Sequence, residues 1–196
     1  MSPSGRRERE VLETLQRLAA QGGTQAAAAV GRFLGRATLA DEVRFLEGPD
    51  AHGVVRMVGR PDQDFVAIAM ELQEPLGGRL VLILPAEEAE LISQRLVPDA
   101  VAGSLDMVGE SALVEMGNIA GSSFVSALAG RIRSRLLHGV PRLTRGGARA
   151  CLDTLAPGAA GPALAVRLGC PETIGTLLLL PDPARLDGLA RLLEIP

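Results

Sequence analysis

The chain predicts an α+β fold in which an antiparallel sheet is flanked by helices, two of them long and related by pseudo-symmetry. Three observations carry this. The order long helix, short strands, helix occurs once up to about residue 98 and again from Ser104. LILPAEEAEL matches LLLPDPARL, and Gly23 matches Gly121, at a shared offset of about 96 to 98 residues, so an internal duplication is the economical explanation. Hairpin turns rather than long crossovers join the strands, which favours antiparallel pairing. The expected organisation is one domain, residues 1–196, built from a repeat at about 5–98 and a second at about 104–196.

The first long helix is expected from about Glu8 to Phe33, capped by Ser4 or a neighbour, with Leu12, Leu15, Leu18 and Ala19 on its apolar side. Gly22-Gly23 interrupts it, at about 1 kcal/mol per glycine relative to alanine, and close backbone approach is the structural reason for glycine there. Short strands at Glu42 to Leu46 and Val54 to Val58 flank the turn-rich GPDAHG. Asp64 to Leu72 reads as a strand, PLGG as a turn, Arg79 to Pro85 as a buried strand, and AEEAELISQRL as a helix ending near Leu96. Pro98 to Gly103 is a short connection. The second long helix runs from Ser104 to about Arg135 or His138, and Pro141 closes it. Strands around Arg149 to Leu152, Ala163 to Cys170 and Thr176 to Pro181, then the helix PARLDGLARLLEI, complete the second half. The strand, Gly-rich loop and helix of a dinucleotide fold are absent.

Composition narrows the chemistry. Apolar residues make up 47% of the 196, yet aromatics only 2%, so the core is built from Leu, Val, Ala and Ile, and sites that stack aromatics are nearly excluded. All 20 basic residues are Arg, which removes the P-loop lysine, Schiff-base chemistry and lysine bases together. A net charge of -3 leaves no electrostatic footprint for nucleic acid. No apolar run reaches the roughly 18 residues of a membrane span, so no membrane insertion is expected. The charged, amphipathic N-terminus, MSPSGRREREVLETL, is not a secretory signal, and a cytoplasmic location is expected. His52 and His138 alone cannot assemble a His-rich metal site. A Ser-His-Asp triad stays formally open, without a nucleophile-elbow pattern to support it. Cys151 and Cys170 read as reduced thiols in or near strands, with a disulfide as the alternative.

One stretch carries chemistry. On a helix at about 100° per residue, Ser111, Glu115, Asn118 and Ser122 of DMVGESALVEMGNIAGSSFVSALAGRI fall within roughly 60° of one another. Val108, Ala112, Met116, Ile119, Ala120, Phe124 and Leu128 spread over the opposite, buried side. Taken alone, such a row is either a solvated face or a docking and catalytic surface.

The spacing of Ser111, Glu115, Asn118 and Pro141, with three, two and twenty-two residues between them, resembles the signature of the CheC/CheX/FliY chemotaxis phosphatases. EMGNIAGSSFVSALA is similar to that family's helix, and the duplicated layout resembles CheC over essentially the whole chain, without room for the extra flagellar-switch domain of FliY. The resemblance implies a CheC-like fold, a phosphorylated response regulator CheY as substrate, and hydrolysis of its aspartyl phosphate. Glu115 then pairs with the regulator's cationic active-site side chain. Asn118 aims a water at phosphorus; its amide both donates and accepts but cannot itself take the proton. No cofactor of the chain's own is implied, since the Mg²⁺ belongs to the phosphorylated partner. Ser111 supports the helix or its docking, and Pro141 sets the turn after it. CheC carries a second copy of this motif on the first helix, but here the offset puts Glu13, Arg17 and Ala20 where Ser111, Glu115 and Asn118 stand, and Val43 where Pro141 stands. Arg17 repels a cation and Ala20 cannot hold a water, so one site is expected. The competing reading is a non-catalytic CheC-like binding module, with the deamidase CheD or a switch complex as partner.

Overall fold

The computed structural model describes residues 3–41, 43–46, 60, 62–97, 107–147, 150–151, 162–169 and 173–194. Helix α1 (Pro3–Leu34) leads into two short strands, β1 (Leu39–Ala40) and β2 (Arg44–Leu46). Strands β3 (Asp64–Glu71) and β4 (Arg79–Pro85) form a hairpin, followed by α2 (Ala86–Leu96). Helix α3 (Met107–Ile132) precedes β5 (Arg142–Gly147), β6 (Ala163–Gly169) and β7 (Thr173–Leu180). A 3₁₀ turn at Pro183–Arg185, capped by the Asp182 carboxylate accepting from the Ala184 amide at 2.9 Å, opens α4 (Leu186–Leu192).

All strand pairs are antiparallel, in the order β1-β6-β7-β4-β3-β5, with β2 also on β6. This order is symmetric about the central β4–β7 pair. The strands that follow each long helix cross over: β2 pairs with β6 of the second half, and β5 pairs with β3 of the first. Neither half therefore completes its part of the sheet alone.

The strands read as continuous apolar runs because both sheet faces are buried. Ile68, Met70, Leu80, Leu82, Val166 and Leu177 face the helices, while Phe65, Ala67, Val81, Ile83, Ala165 and Leu178 form a second cluster. On the helical face α1 contributes Val11, Leu15, Leu18, Ala19 and Ala26, and α3 contributes Leu113, Met116, Ala120, Phe124 and Leu128. Helix α1 runs unbroken through Gly22-Gly23, against the expected interruption, but the reason for glycine holds. A Cβ on Gly22 lies 2.7 Å from a Phe124 ring carbon, and one on Gly23 lies 2.5 Å from Val166. Helix–helix contact and helix–sheet contact are both too close for a side chain there.

Other boundaries depart from the sequence reading. Helix α1 starts at Pro3, ahead of Glu8. Helix α3 stops at Ile132, not Arg135 or His138, because Arg133 takes a left-handed φ of 51° and the chain turns back along β3. Within the predicted strand at Arg149 to Leu152 the described residues, Ala150 and Cys151, are helical, and the strand that completes this edge is β5, seven residues earlier at its start. Val108 is 57% exposed rather than buried; Gly109, Leu113, Gly117 and Val125 take its place on the covered side. The expectation that nothing is apolar enough to span a membrane also needs correction. Among the described residues α3 passes that test by length and composition, and its apolar side is covered by α1 and the sheet. The predicted strand Val54 to Val58, the connection Pro98 to Gly103, and Cys170 lie outside the described residues. Cys151 is a free, buried thiol. Burial, with the Asp64 carboxylate adding to it, pushes that thiol up to about 11.

Candidate functional site

Helix α3 stands its polar row outward because its other sides are occupied. Gly117 and Gly121 let it lie directly on β3, where added Cβ atoms fall 2.6 Å from Ile68 and 2.4 Å from Met70. With that face pressed to the sheet, and Phe124 and Leu128 against Gly22 of α1, the remaining arc is the row. Ser111, Glu115 and Ser122 are exposed, and Asn118 is half-buried between them. Glu115 and Asn118 are separated by one helical turn, which brings their Cβ atoms to roughly 5–6 Å.

The four side chains are not equally available. The Ser111 hydroxyl donates to the Met107 carbonyl at 2.9 Å, a bond within its own helix. Ser122 is held at 2.9 Å by Nε2 of His138. Glu115 and Asn118 have no hydrogen bond or ion pair among the described residues. A second carboxylate on the same helix, Glu110, is paired with Arg145 of β5. Glu115 is therefore the carboxylate on this face that is left to meet a cation from outside.

Beside the row lies an open groove of about 400 Å³ between α3 and β5, lined by Met107, Glu110, Ser111, Val114, Glu115 and Leu143. Met107, 83% exposed, forms an apolar lip at its end. Pro141 is half-buried immediately before β5, whose Leu143 and Arg145 lie alongside α3; it does not close that helix, which ends at Ile132 with the turn at Arg133 and Ser134. Sequence reasoning missed β5, the Glu110–Arg145 pair and the Ser122–His138 contact. Only the second left a trace in the sequence, as charges of opposite sign without an obvious local partner.

The corresponding row on α1 is exposed but differently built. Glu13, Arg17 and Ala20 all face outward. The Arg17 guanidinium donates to the Thr14 hydroxyl at 3.1 Å, and the Thr24 hydroxyl donates to the Ala20 carbonyl at 3.0 Å. Val43 is buried, its carbonyl accepting from Gln16 at 3.2 Å. This surface offers a guanidinium and a methyl group where α3 offers a carboxylate and a carboxamide. Among the described residues no group of three or more His, Cys, Asp or Glu side chains is placed to hold a metal ion.

No family model matches the chain. Over 139 residues it is 28% identical to the CheY-P phosphatase CheC of Bacillus subtilis, an alignment covering 69% of this chain and 66% of that protein, just under two thirds of the relative's own length. Among solved structures, FliY of Thermotoga maritima is similar over 99% of this chain and 98% of its own, with a TM-score of 0.69 at 14% identity. The Borrelia burgdorferi CheX structure, a complex with CheY, BeF₃ and Mg²⁺, matches 80% of this chain and 92% of its own, with a TM-score of 0.54 at 16% identity. The FliM middle domain of H. pylori matches 93% and 98%, with a TM-score of 0.61 at 10% identity. At these identities the structures speak for the fold, an α+β arrangement of antiparallel sheet and flanking helices.

Proposed function

We propose that this chain is a member of the CheC/CheX/FliY family of chemotaxis proteins and, on that premise, a cytoplasmic phosphatase for the aspartyl phosphate of a CheY response regulator. The observation that carries the reading is the pair Glu115 and Asn118, one turn apart, facing outward and unengaged by the chain itself. The relative named for CheY-P phosphatase activity and the structural neighbour crystallised with CheY support the choice of partner.

Glu115 docks on the partner's cationic side chain, and the charge-assisted contact sets the register of the two surfaces. That register carries Asn118 to the phosphoaspartate, where its carboxamide holds a water in line with phosphorus. Such a group contributes by positioning, as the glutamine of GTPases does, and about 10²-fold in rate corresponds to about 2.7 kcal/mol. Mg²⁺ is held by the partner. Ser111, bonded into its own helix, and Pro141, at the entry to β5, support the site without touching substrate. One domain of two repeats, with outer strands exchanged between the halves, is the scaffold; the row Glu13, Arg17 and Ala20 is a lost second site.

The test is phosphate release from phosphorylated CheY with Mg²⁺. Asn118→Ala lowers the accelerated rate about 10²-fold with the fold intact, and Glu115→Ala mainly weakens complex formation. Parent-like rates from both variants contradict the assignment. A second reading is favoured by the FliM likeness and the lost α1 row: a non-catalytic module in a switch assembly or bound to CheD. It predicts association with its partner that is indifferent to phosphorylation, and no acceleration by the parent chain.

A further inference from the structure

Ser122 closes the outward row, yet neither docking nor water positioning uses it. Its hydroxyl lies 2.9 Å from His138 Nε2, and His138 Nδ1 lies 2.9 Å from the Gly139 carbonyl oxygen. A carbonyl only accepts, so Nδ1 carries a ring proton, and in that tautomer Nε2 is an acceptor. The Ser122 hydroxyl therefore donates to His138, which leaves its oxygen lone pairs free to accept. The imidazole is held in place: Leu72 and His138 form a bridge, the Gln73 amide donates to the Leu137 carbonyl at 2.9 Å, and the Gly139 amide donates to the Glu71 carbonyl at 2.8 Å.

The other half of the molecule supplies a control. At the offset of 98 residues that aligns Gly23 with Gly121, Thr24 stands for Ser122 and Ala40 for His138. The Thr24 hydroxyl turns back onto its own helix at Ala20, and no imidazole stands at position 40. The half that lacks the carboxylate and carboxamide lacks this pair as well.

We propose that Ser122 and His138 are positioning residues for Asn118. Ser122 sits one turn beyond Asn118 on the same face, within reach of an i, i+4 hydrogen bond. With its own proton committed to His138, the Ser122 oxygen accepts from the Asn118 NH₂ group when the partner docks. That bond fixes which end of the carboxamide faces the phosphoryl group, leaving the Asn118 carbonyl oxygen to accept a proton of the attacking water. The inference rests on the proposed phosphatase reading.

The experiment uses the full chain with phosphorylated CheY and Mg²⁺, measuring kcat and KM, with thermal melts as a check of folding. Ser122→Ala and His138→Ala each lower kcat about tenfold with KM changed less than about twofold. His138→Gln, which keeps an acceptor near the Nε2 position, recovers kcat to within about twofold of the parent. In an Asn118→Ala background the same substitutions change nothing further, since the group they position is gone. Nitrogen-15 spectra of the histidine rings place the His138 proton on Nδ1. If Asn118→Ala removes the acceleration while Ser122→Ala and His138→Ala keep the parent kcat, or if their losses multiply with that of Asn118→Ala, this inference is overturned and the phosphatase reading stands. A parent chain that does not accelerate dephosphorylation removes both.

Discussion

Helices α1 and α3 are solved alike on the inside and differently on the outside. Each presses a glycine onto the sheet at the same relative position, Gly23 against Val166 and Gly121 against Met70, and each lends leucine and alanine to one shared core. Outward, α3 shows Glu115 and Asn118 where α1 shows Arg17 and Ala20. Close packing constrains the inner positions in both halves, because a single added carbon collides. The outer row is constrained only by what it must meet. In a scaffold of two exchanged halves the outer rows of the two helices can therefore differ without disturbing the fold.

The contrast breaks most visibly on the outer row. Converting α3 to the α1 pattern with Glu115→Arg and Asn118→Ala removes both docking and water positioning, and acceleration of CheY dephosphorylation falls by more than about 10²-fold. On that background, Arg17→Glu with Ala20→Asn rebuilds the pair on α1. Recovery stays below about a tenth of the parent rate, since Thr24 is bonded to Ala20 and position 40 is alanine. Full recovery would mean the pair alone suffices.

The inner positions sharpen the comparison by stability. Gly23→Ala meets the stiff, β-branched Val166 and costs about 1–3 kcal/mol. Gly121→Ala meets the movable end of Met70 and costs less than about 1 kcal/mol. Urea midpoints of the two variants give the order directly, and the reverse order contradicts the packing described.

An effect confined to alkaline pH concerns Cys151, which the offset aligns with Gly53 of the first half. Folding raises this thiol from about 9.0 to about 11, so the folded state keeps the proton that the unfolded chain releases first. Its contribution is present below pH 9 and is lost as pH rises from 9 towards 11, by at most about 1.4 kcal/mol per pH unit. Cys151→Ser removes that slope from the pH dependence of urea unfolding, and alkylation of Cys151 in the parent at pH 8, followed by mass spectrometry of its peptide, is slow.

Much of this architecture was legible from periodicity. The hairpin Asp64–Glu71 with Arg79–Pro85, the two long helices and the outward row all follow from spacing of 2 or 3.6 residues. Strand β5 was not, because RLTRGG places two arginines and two glycines in a half-exposed edge strand, against local β propensity. The end of α3 is not legible, since RSRLLH holds no helix breaker ahead of Gly139 and Pro141; the left-handed Arg133 is set by the backbone's return along β3. Gly22-Gly23 reads locally as a break yet marks contact with Phe124 and Val166, a distinction only the neighbouring elements define. Within the site, Glu115 and Asn118 were legible as a helical row. His138 beside Ser122 was not, being a contact across sixteen residues made by a turn rather than a helix.

The most direct test measures phosphate release from phosphorylated CheY, with Mg²⁺ present, in the presence of the parent chain, Asn118→Ala, and Ala20→Asn as a neutral control on the other helix. The parent and Ala20→Asn are expected to accelerate release, with a loss of about 10²-fold in Asn118→Ala alone. Equal rates for the parent and Asn118→Ala, with both proteins folded, contradict it.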